Sequence, residues 1–172
     1  MISPRDLATG RLLMAPVSWA DLPAIARLKA DPRVYALMLG GVRSRAEAAE
    51  DLAEDLRFWG AAGVGMWCLR ERGTGRFVGL VGFHQRPDGR GVGLRFALEP
   101  ESQGRGYAPE AAGAALRFAH ERAGVERVVA VARETNLGSR QVLGSIGMRE
   151  VDAFMRDGHR MLVFESVRTA RG

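Results

Sequence analysis

The sequence predicts a mixed α+β (α/β) domain whose central sheet is mixed but mostly antiparallel, with about seven strands and about four flanking helices. Strand-like runs at 66–70 and 77–83 are joined by a glycine-bearing turn, which indicates an antiparallel hairpin. A glycine turn at 103–106 separates a strand run from a helical segment, and another strand run follows. That helix is therefore expected to cross over between two parallel strands. Asp157-Gly158, between two further β runs, predicts a closing hairpin.

The first third of the chain predicts one strand and two helices. Residues 11–17 form the strand. A helix over 18–31 begins at a Ser/Asp pair with capping-box spacing and ends before a proline. A looser stretch over 33–43 follows. The second helix, over 44–63, begins at a Ser/Glu capping box and ends at a glycine.

The remaining elements alternate between strands and helices. They are strands over 66–70, 77–83 and 91–98, a helix from the glycine turn to His120, a strand over 125–131, a helix over 136–147 with Asn136 as its N-cap, and a hairpin over 151–164. The apolar faces of these elements are predicted to form the core rather than to contact a cofactor.

Length and composition describe one ordinary globular domain. The chain has 172 residues, of which 47% are hydrophobic and 26% charged. The N-terminus has no leader pattern and no apolar run approaches ~18 residues, so we expect a cytoplasmic protein with no membrane partner. The single cysteine, Cys68, excludes an internal disulfide and a four-cysteine zinc site. Its apolar neighbours predict a buried, inert thiol.

The charge pattern favours an anionic small-molecule ligand over nucleic acid. The net charge is +5, which suits an anionic cofactor. The arginines are scattered and no aromatic stacking motif accompanies them, so specific nucleic-acid binding is not expected. The three histidines and the nearby acids lack metal-ligand spacing, so no metal is expected.

The glycine turn has the composition of an anion-binding loop. Gln103-Gly104-Arg105-Gly106-Tyr107-Ala108 places two glycines immediately before a helix. Free N–H groups of the loop and of the first helical turn can there surround a phosphate or pyrophosphate. The third glycine of the dinucleotide fingerprint is replaced by Pro109, and no Gly-Lys-Ser/Thr run is present. The remaining pattern, Gln/Arg-x-x-Gly-x-Gly/Ala, resembles the coenzyme A pyrophosphate loop of the GNAT acetyltransferase superfamily.

Two further segments resemble motifs of the same superfamily, and all of these motifs follow one another in the superfamily's order along the chain. The stretch 136–148 looks like the superfamily's Asn-x-x-Ser/Ala … Gly-Phe motif, with Ser139 and Leu143 as in the ribosomal-protein N-terminal acetyltransferase subgroup. Residues 9–16 resemble that subgroup's Thr-Glu-Arg-Leu-x-Leu-Arg-Pro start, although Gly10 and Ala15 depart from it. The order of elements is similar to a single GNAT domain over residues 9–168.

The resemblance implies acetyl transfer from acetyl-CoA to a primary amine, without a metal. In the GNAT fold, splayed strands hold the cofactor, and backbone N–H groups of the strand before the glycine loop polarise the thioester. That strand end is Phe96-Ala97-Leu98 here. By the same resemblance the pyrophosphate contacts are Gln103, Gly104, Arg105, Gly106, Tyr107 and Ala108. Asn136 and Ser139 would line the pantetheine and sulfur end.

Two of the family's catalytic residues are missing. Many members carry a tyrosine acid where this chain has Leu143, and the subgroup often has an acid on the strand that reads 93–96 here. Ser139 is the substitute acid, unless its hydroxyl only bonds its own helix backbone. His84 is either a proton relay or an exposed strand-end histidine without a role. Glu99 is a candidate base, or else a solvated acid.

Three functions fit these features. The leading one is an N-acetyltransferase for a protein or peptide N-terminal α-amine. The others are a small-molecule amine acetyltransferase, acting on a polyamine, aminoglycoside or toxin, and a non-catalytic acyl-CoA-binding module. The acceptor is expected under the 33–43 segment, with Tyr35 and Met38 as a mobile wall. Self-association into a homodimer stays open.

Overall fold

The computed structural model of the protein describes residues 3–170. Within this range there are eight strands and five helices. The strands are β1 (Leu7–Ala8), β2 (Leu12–Pro16), β3 (Met66–Glu71), β4 (Phe77–Gln85), β5 (Val92–Leu98), β6 (Arg127–Arg133), β7 (Arg149–Arg156) and β8 (His159–Val167). The helices are α1 (Leu22–Ala30), α2 (Pro32–Tyr35), α3 (Arg45–Ala62), α4 (Tyr107–Arg117) and α5 (Leu137–Ser145).

One sheet in the order β1-β2-β3-β4-β5-β6-β8-β7 contains all of these strands. Neighbouring strands are antiparallel except β5 and β6, which are parallel and joined by α4 as their crossover. The expected mixed, mostly antiparallel sheet is confirmed. The extra strand, β1, pairs over only Leu7 and Ala8, and the extra helix, α2, is a single turn inside the stretch expected to be loose.

Local sequence signals explain where most elements begin and end. The Ser44 hydroxyl accepts a hydrogen bond from the Glu47 N–H, and the Glu47 carboxylate accepts one from the Ser44 N–H, which completes the capping box of α3. Gly63 ends that helix with a φ of +71°. The β7–β8 turn has positive φ at both Asp157 and Gly158, as a two-residue hairpin requires.

The core packs aromatic side chains between the helices and the sheet. Trp67 meets Trp59 edge to face with ring centroids 4.8 Å apart, and Phe118 with centroids 5.3 Å apart. Because Trp59 lies near the end of α3 and Phe118 directly follows α4, these contacts fix both helices against β3. Cys68 is buried on β3, as predicted, and burial raises the pKa of its thiol to about 12, which disfavours the reactive thiolate.

The two parallel strands separate almost as soon as they meet. Between β5 and β6 the only Cα register pair within residues 3–170 is Gly93 with Val129. Beyond that pair no further register pair joins the described strands toward their C-terminal ends, so the sheet is open there; both ends lie at the same edge because the strands are parallel. We call this opening the β5–β6 cleft. No helix within residues 3–170 is long and apolar enough to cross a membrane.

Candidate active site

The glycine loop, residues 103–108, lies at the mouth of the β5–β6 cleft and presents free backbone donors. Gly104 and Gly106 have φ of +75° and +80°, a left-handed conformation that other residues rarely adopt. In the described part of the chain the N–H groups of Gly106, Tyr107 and Ala108 have no hydrogen-bond partner. Three consecutive free N–H groups at the start of α4 have the chemistry to bind an anion.

Arg11 on the neighbouring strand end fixes the orientation of this loop. Its Nη1 donates to the carbonyl of Arg105 at 2.8 Å, and its Nε donates to the Glu110 carboxylate at 2.8 Å. In a trans peptide the C=O and the following N–H point in opposite directions. Because the Arg105 carbonyl points to Arg11, the Gly106 N–H points away from Arg11, toward the open side of the loop.

Tyr107 contributes to the loop through its backbone. Its side chain is buried, its ring lies 4.5 Å from the Arg11 guanidinium carbon, and its hydroxyl donates to Glu71 at 3.3 Å. Gln103 also turns toward the protein, because its Nε2 donates to the carbonyl of Leu98 at 3.1 Å. The side chains of Tyr107 and Gln103 therefore stabilise the loop, and the N–H groups remain for a ligand.

On its cleft side, the C-terminal end of β5 has no strand partner within residues 3–170. Arg86 N–H bonds to Gly91 C=O and Glu99 N–H bonds to Val78 C=O, each at 2.9 Å. In an antiparallel pair the bonded residues alternate, so the odd-numbered residues of β5 bond β4. Phe96 and Leu98 consequently turn their backbone groups toward the cleft, whereas Ala97 turns its own toward β4.

Asn136 and Ser139 lie across the cleft, at the C-terminal end of β6. The Asn136 side chain accepts a hydrogen bond from the Ser139 N–H at 3.0 Å and caps α5, as the sequence predicted. The hydroxyl of Ser139 has no hydrogen-bond partner within residues 3–170, so it does not bond its own helix backbone. Gly147 ends the helical turn with a φ of +87°, and Met148 donates its N–H to the Leu143 carbonyl.

The two other candidates for proton transfer are His84, on β4, and Glu99, directly after β5. His84 is half-buried rather than exposed, which corrects one of the two alternatives left by the sequence. Burial, followed by the charges of Arg95 and Arg86, lowers the pKa of its imidazole to about 3. Glu99 follows β5 directly and is half-exposed. The role of either residue in catalysis stays a prediction.

His120, at the end of the crossover helix, is half-buried. Its Nδ1 lies 2.7 Å from the Val125 carbonyl oxygen and its Nε2 lies 2.9 Å from the Ser166 hydroxyl. These contacts tie the end of the crossover helix to β8 and leave the ring no free nitrogen for chemistry. Within residues 3–170 no cluster of three or more His, Cys, Asp or Glu side chains could hold a metal ion.

A small pocket lies against β5 beneath α2, and we call it the acceptor-side pocket. It is lined by Tyr35, Met38, Met66, Leu80, Arg95, Phe96 and Ala97. About 10 Å³ of it is free, room for about one water molecule, so any larger group requires Tyr35 or Met38 to move. Burial raises the pKa of the Tyr35 hydroxyl to about 12. A larger pocket, of about 200 Å³, lies at Leu7 and Phe118 and includes no β5 residue.

A cluster of charged side chains, of which Lys29 and Asp55 are buried, lies beside this pocket, and the sequence analysis missed it. Asp55 accepts a hydrogen bond from Arg95 Nη2 at 3.1 Å, and Lys29 and Arg43 bond Asp51. Burial raises the pKa of Asp55, although the positive charges of Arg95 and Lys29 act to lower it. Burial and then Arg95 lower the pKa of Lys29.

One signal in the sequence could have revealed this cluster. Asp55 lies three residues after Leu52 and four before Trp59, so a carboxylate interrupts the apolar face of α3. A charge at such a position is costly unless another charge compensates it. Arg95, on the strand before the glycine loop, is the compensating charge.

A glycine loop that opens a crossover helix between two parallel strands is the arrangement that the sequence analysis expected of a GNAT domain. Residues 11–149 match the family described as the acetyltransferase (GNAT) domain, and the chain belongs to this family. An acetyltransferase described as a putative GnaT-family member from Bordetella pertussis superimposes with a TM-score of 0.83 at 27% identity. That match covers 94% of this chain and 98% of the other.

Other similarities are shorter or more distant. The uncharacterized N-acetyltransferase YjdG of Bacillus subtilis is 32% identical over 89 residues, which span 51% of this chain and about half, 53%, of that protein. RimL, a ribosomal α-N-protein acetyltransferase in complex with coenzyme A, has a TM-score of 0.79 at 15% identity over 95% of this chain and 98% of the other. The spermidine N-acetyltransferase of Vibrio cholerae, in complex with coenzyme A and spermine, has a TM-score of 0.74 at 16% identity. That match covers 91% of this chain and 95% of the other. At these identities the last two show the fold alone.

Proposed function

We propose that the protein transfers the acetyl group of acetyl-CoA to the N-terminal α-amine of a protein or peptide. The observation that carries the proposal is the coincidence of two sets of free backbone donors. The glycine loop supplies Gly106, Tyr107 and Ala108 N–H groups, and the β5 edge supplies those of Phe96 and Leu98. This arrangement fits a long cofactor with a pyrophosphate at one end and an amide-bearing arm that pairs with a strand edge.

Each group of the chain would have a separate task. The loop N–H groups would bind the pyrophosphate, and the Phe96 N–H would polarise the thioester carbonyl. The Ser139 hydroxyl, which has no protein partner in the part of the chain described, would donate a hydrogen bond to the departing sulfur. Acetyl-CoA itself supplies the activated acyl group.

The site favours an amine that loses its proton easily. The Asp55 carboxylate is bound by Arg95, and the low pKa of His84 makes it a weak proton acceptor. An α-amine has an ordinary pKa near 7.7–8, against about 10.4 for a lysine side chain. At pH 7 a far larger fraction of α-amines is therefore neutral, and this acceptor needs less help from a base.

The charges around the pocket argue against a polyamine acceptor. A polycation would be bound best by a cleft with unpaired carboxylates. Asp51 and Asp55 are the carboxylates beside the acceptor-side pocket, and both already bond cationic side chains. Arg95 adds a cation to the lining itself. Among the fold neighbours, the α-N-protein acetyltransferase is therefore a better guide to the acceptor than the spermidine enzyme.

The test is a thiol-release assay with acetyl-CoA and three acceptors. One peptide has a free N-terminus and no lysine, its partner has a blocked N-terminus and one lysine, and spermidine is the third. We expect the α-amine peptide to react fastest at pH 7, with a rate that rises with pH through the pKa of its amine. Faster turnover of the lysine peptide or of spermidine would contradict the choice of acceptor. Coenzyme A binding without turnover on any amine would favour the non-catalytic alternative.

A further inference from the structure

The acceptor-side pocket contains a guanidinium whose hydrogen-bonding capacity is only partly used. Arg95 is one of the residues that line the pocket, and its side chain keeps an exposed fraction of 39%. Within residues 3–170 its only hydrogen-bond acceptor is the Asp55 carboxylate, reached by Nη2. A guanidinium has five N–H donors, so Nε and Nη1 remain free for a ligand.

The surrounding charges balance one another and leave Arg95 with free donors. Three cations, Lys29, Arg43 and Arg95, pair with three carboxylates, Glu47, Asp51 and Asp55. Lys29 and Arg43 both bond Asp51, at 3.1 and 3.0 Å, so that carboxylate is satisfied without Arg95. Arg95 is thus the one member of this cluster that both faces the pocket and keeps free donors.

We propose that Arg95 determines acceptor specificity by binding a carboxylate close to the reacting amine. The proposal rests on the proposed transfer to an α-amine and adds which α-amines react best. The planar fork of arginine matches a carboxylate, and the bond is strengthened because both partners are charged. The preferred acceptor is therefore an amine that carries a carboxylate.

The position of Arg95 limits where that carboxylate can be. Arg95 directly precedes Phe96, whose N–H is assigned to the thioester carbonyl, and consecutive Cα atoms lie about 3.8 Å apart. The carboxylate then belongs to a group near the amine. It is either an acidic side chain at the second or third position of a peptide, or the carboxylate of an amino acid itself. Both sources present the same chemistry to Arg95.

The experiment compares pairs of acceptors that differ in one charge. The first pair is the peptide amides Ser-Glu-Ala-Gly and Ser-Gln-Ala-Gly, which lack a C-terminal carboxylate. The second pair is free serine and serinamide, compared per neutral amine because the α-carboxylate also raises the pKa of the amine. Values of kcat/KM are measured for the wild-type protein, for Asp55→Asn and for the double variant Arg95→Met/Asp55→Asn. The ratio within a pair does not depend on the folded fraction of the preparation.

In the wild type we expect the charged member of one pair to have a kcat/KM at least about ten-fold higher. Asp55→Asn should keep or raise that ratio, because Arg95 loses its competing carboxylate. The double variant should reduce the ratio to about two-fold or less. A role limited to neutralising Asp55 predicts equal ratios in all three proteins.

The outcomes separate this inference from the proposed function. Acetylation of both peptides at equal rates, with serine and serinamide also equal, overturns the role of Arg95 and leaves α-amine transfer standing. A preference confined to free serine over serinamide, with inert peptides, supports Arg95 and overturns the peptide acceptor. Survival of the charge preference in the double variant overturns the assignment to Arg95.

Discussion

Replacing Arg11 should weaken coenzyme A binding although no direct contact with the ligand is assigned to it. In Arg11→Met the carbonyl of Arg105 loses its donor at 2.8 Å and Glu110 loses its ion pair. The Arg105–Gly106 peptide can then rotate, so that the Gly106 N–H no longer points steadily into the anion site. The ordering of the loop would have to occur on binding, at a cost to affinity.

The size of the effect follows from the interactions that the Arg11 side chain makes. A hydrogen bond with one charged partner contributes about 1.5–3 kcal/mol when well shielded, and the half-exposed Arg11 side chain argues for the lower end. The Glu110 ion pair and the stacking on the Tyr107 ring add only tenths of a kcal/mol at such exposure. A loss of about 1.4 kcal/mol corresponds to a Kd about ten-fold higher.

Isothermal titration calorimetry with coenzyme A measures this loss. Arg57→Met is the matched control and removes the same charge. Arg57 is exposed, and within residues 3–170 it pairs only with Glu54 on its own helix. Arg11→Lys keeps the charge without the fork and should lie between the wild type and Arg11→Met. The reasoning is refuted if the Kd of folded Arg11→Met stays within about two-fold of the wild type, or if Arg57→Met loses as much.

Three further predictions use other features of the site. Gly106→Val should raise the Kd for coenzyme A about ten-fold by calorimetry, because a β-branched residue is strained at a φ of +80°. Gly124→Val, with a φ of +70° at the end of the crossover helix, should leave the Kd unchanged, and equal losses would argue against a special role for the loop. Ser139→Ala should lower kcat about ten-fold with little change in KM for acetyl-CoA, and a wild-type kcat would make the hydroxyl structural. Because the folded pKa of His84, about 3, lies below its ordinary 6.5, its contribution to stability is present above pH 6.5 and is lost as the pH falls toward 3. Between pH 7 and 5 the free energy of unfolding, measured with urea, should fall by about 1–2 kcal/mol less in His84→Gln than in the wild type or in His159→Gln. An equal fall in all three proteins would contradict this prediction.

Local signals in the sequence predicted the order of elements and the loop that opens α4. Capping pairs such as Ser44 and Glu47, and turns such as Asp157-Gly158, act between residues that are close in the chain. The alternation of apolar residues then assigned the strands, and the crossover helix assigned the one parallel pair. These parts of the fold follow from backbone preferences and periodicity, which a single sequence displays.

The parts that could not be predicted depend on contacts between distant residues. Arg11 bonds Arg105 and Glu110 across more than ninety positions, and Arg95 meets Asp55 across forty. No local pattern pairs these side chains, because tertiary packing brings them together. The divergence of β5 from β6 is likewise a property of the sheet. The two-residue strand at Leu7–Ala8 exists only because β2 offers it an edge.

Amide hydrogen exchange, resolved residue by residue by NMR, tests the central claim most directly. Coenzyme A should slow exchange at Phe96 and at Gly106, Tyr107 and Ala108, whose N–H groups have no partner within residues 3–170. The Ala97 N–H is already directed to β4 and should change little. Slowing at the loop and at Phe96 but not at Ala97 would support a cofactor held in the β5–β6 cleft. Coenzyme A that binds without slowing exchange at any of these four N–H groups would contradict the account.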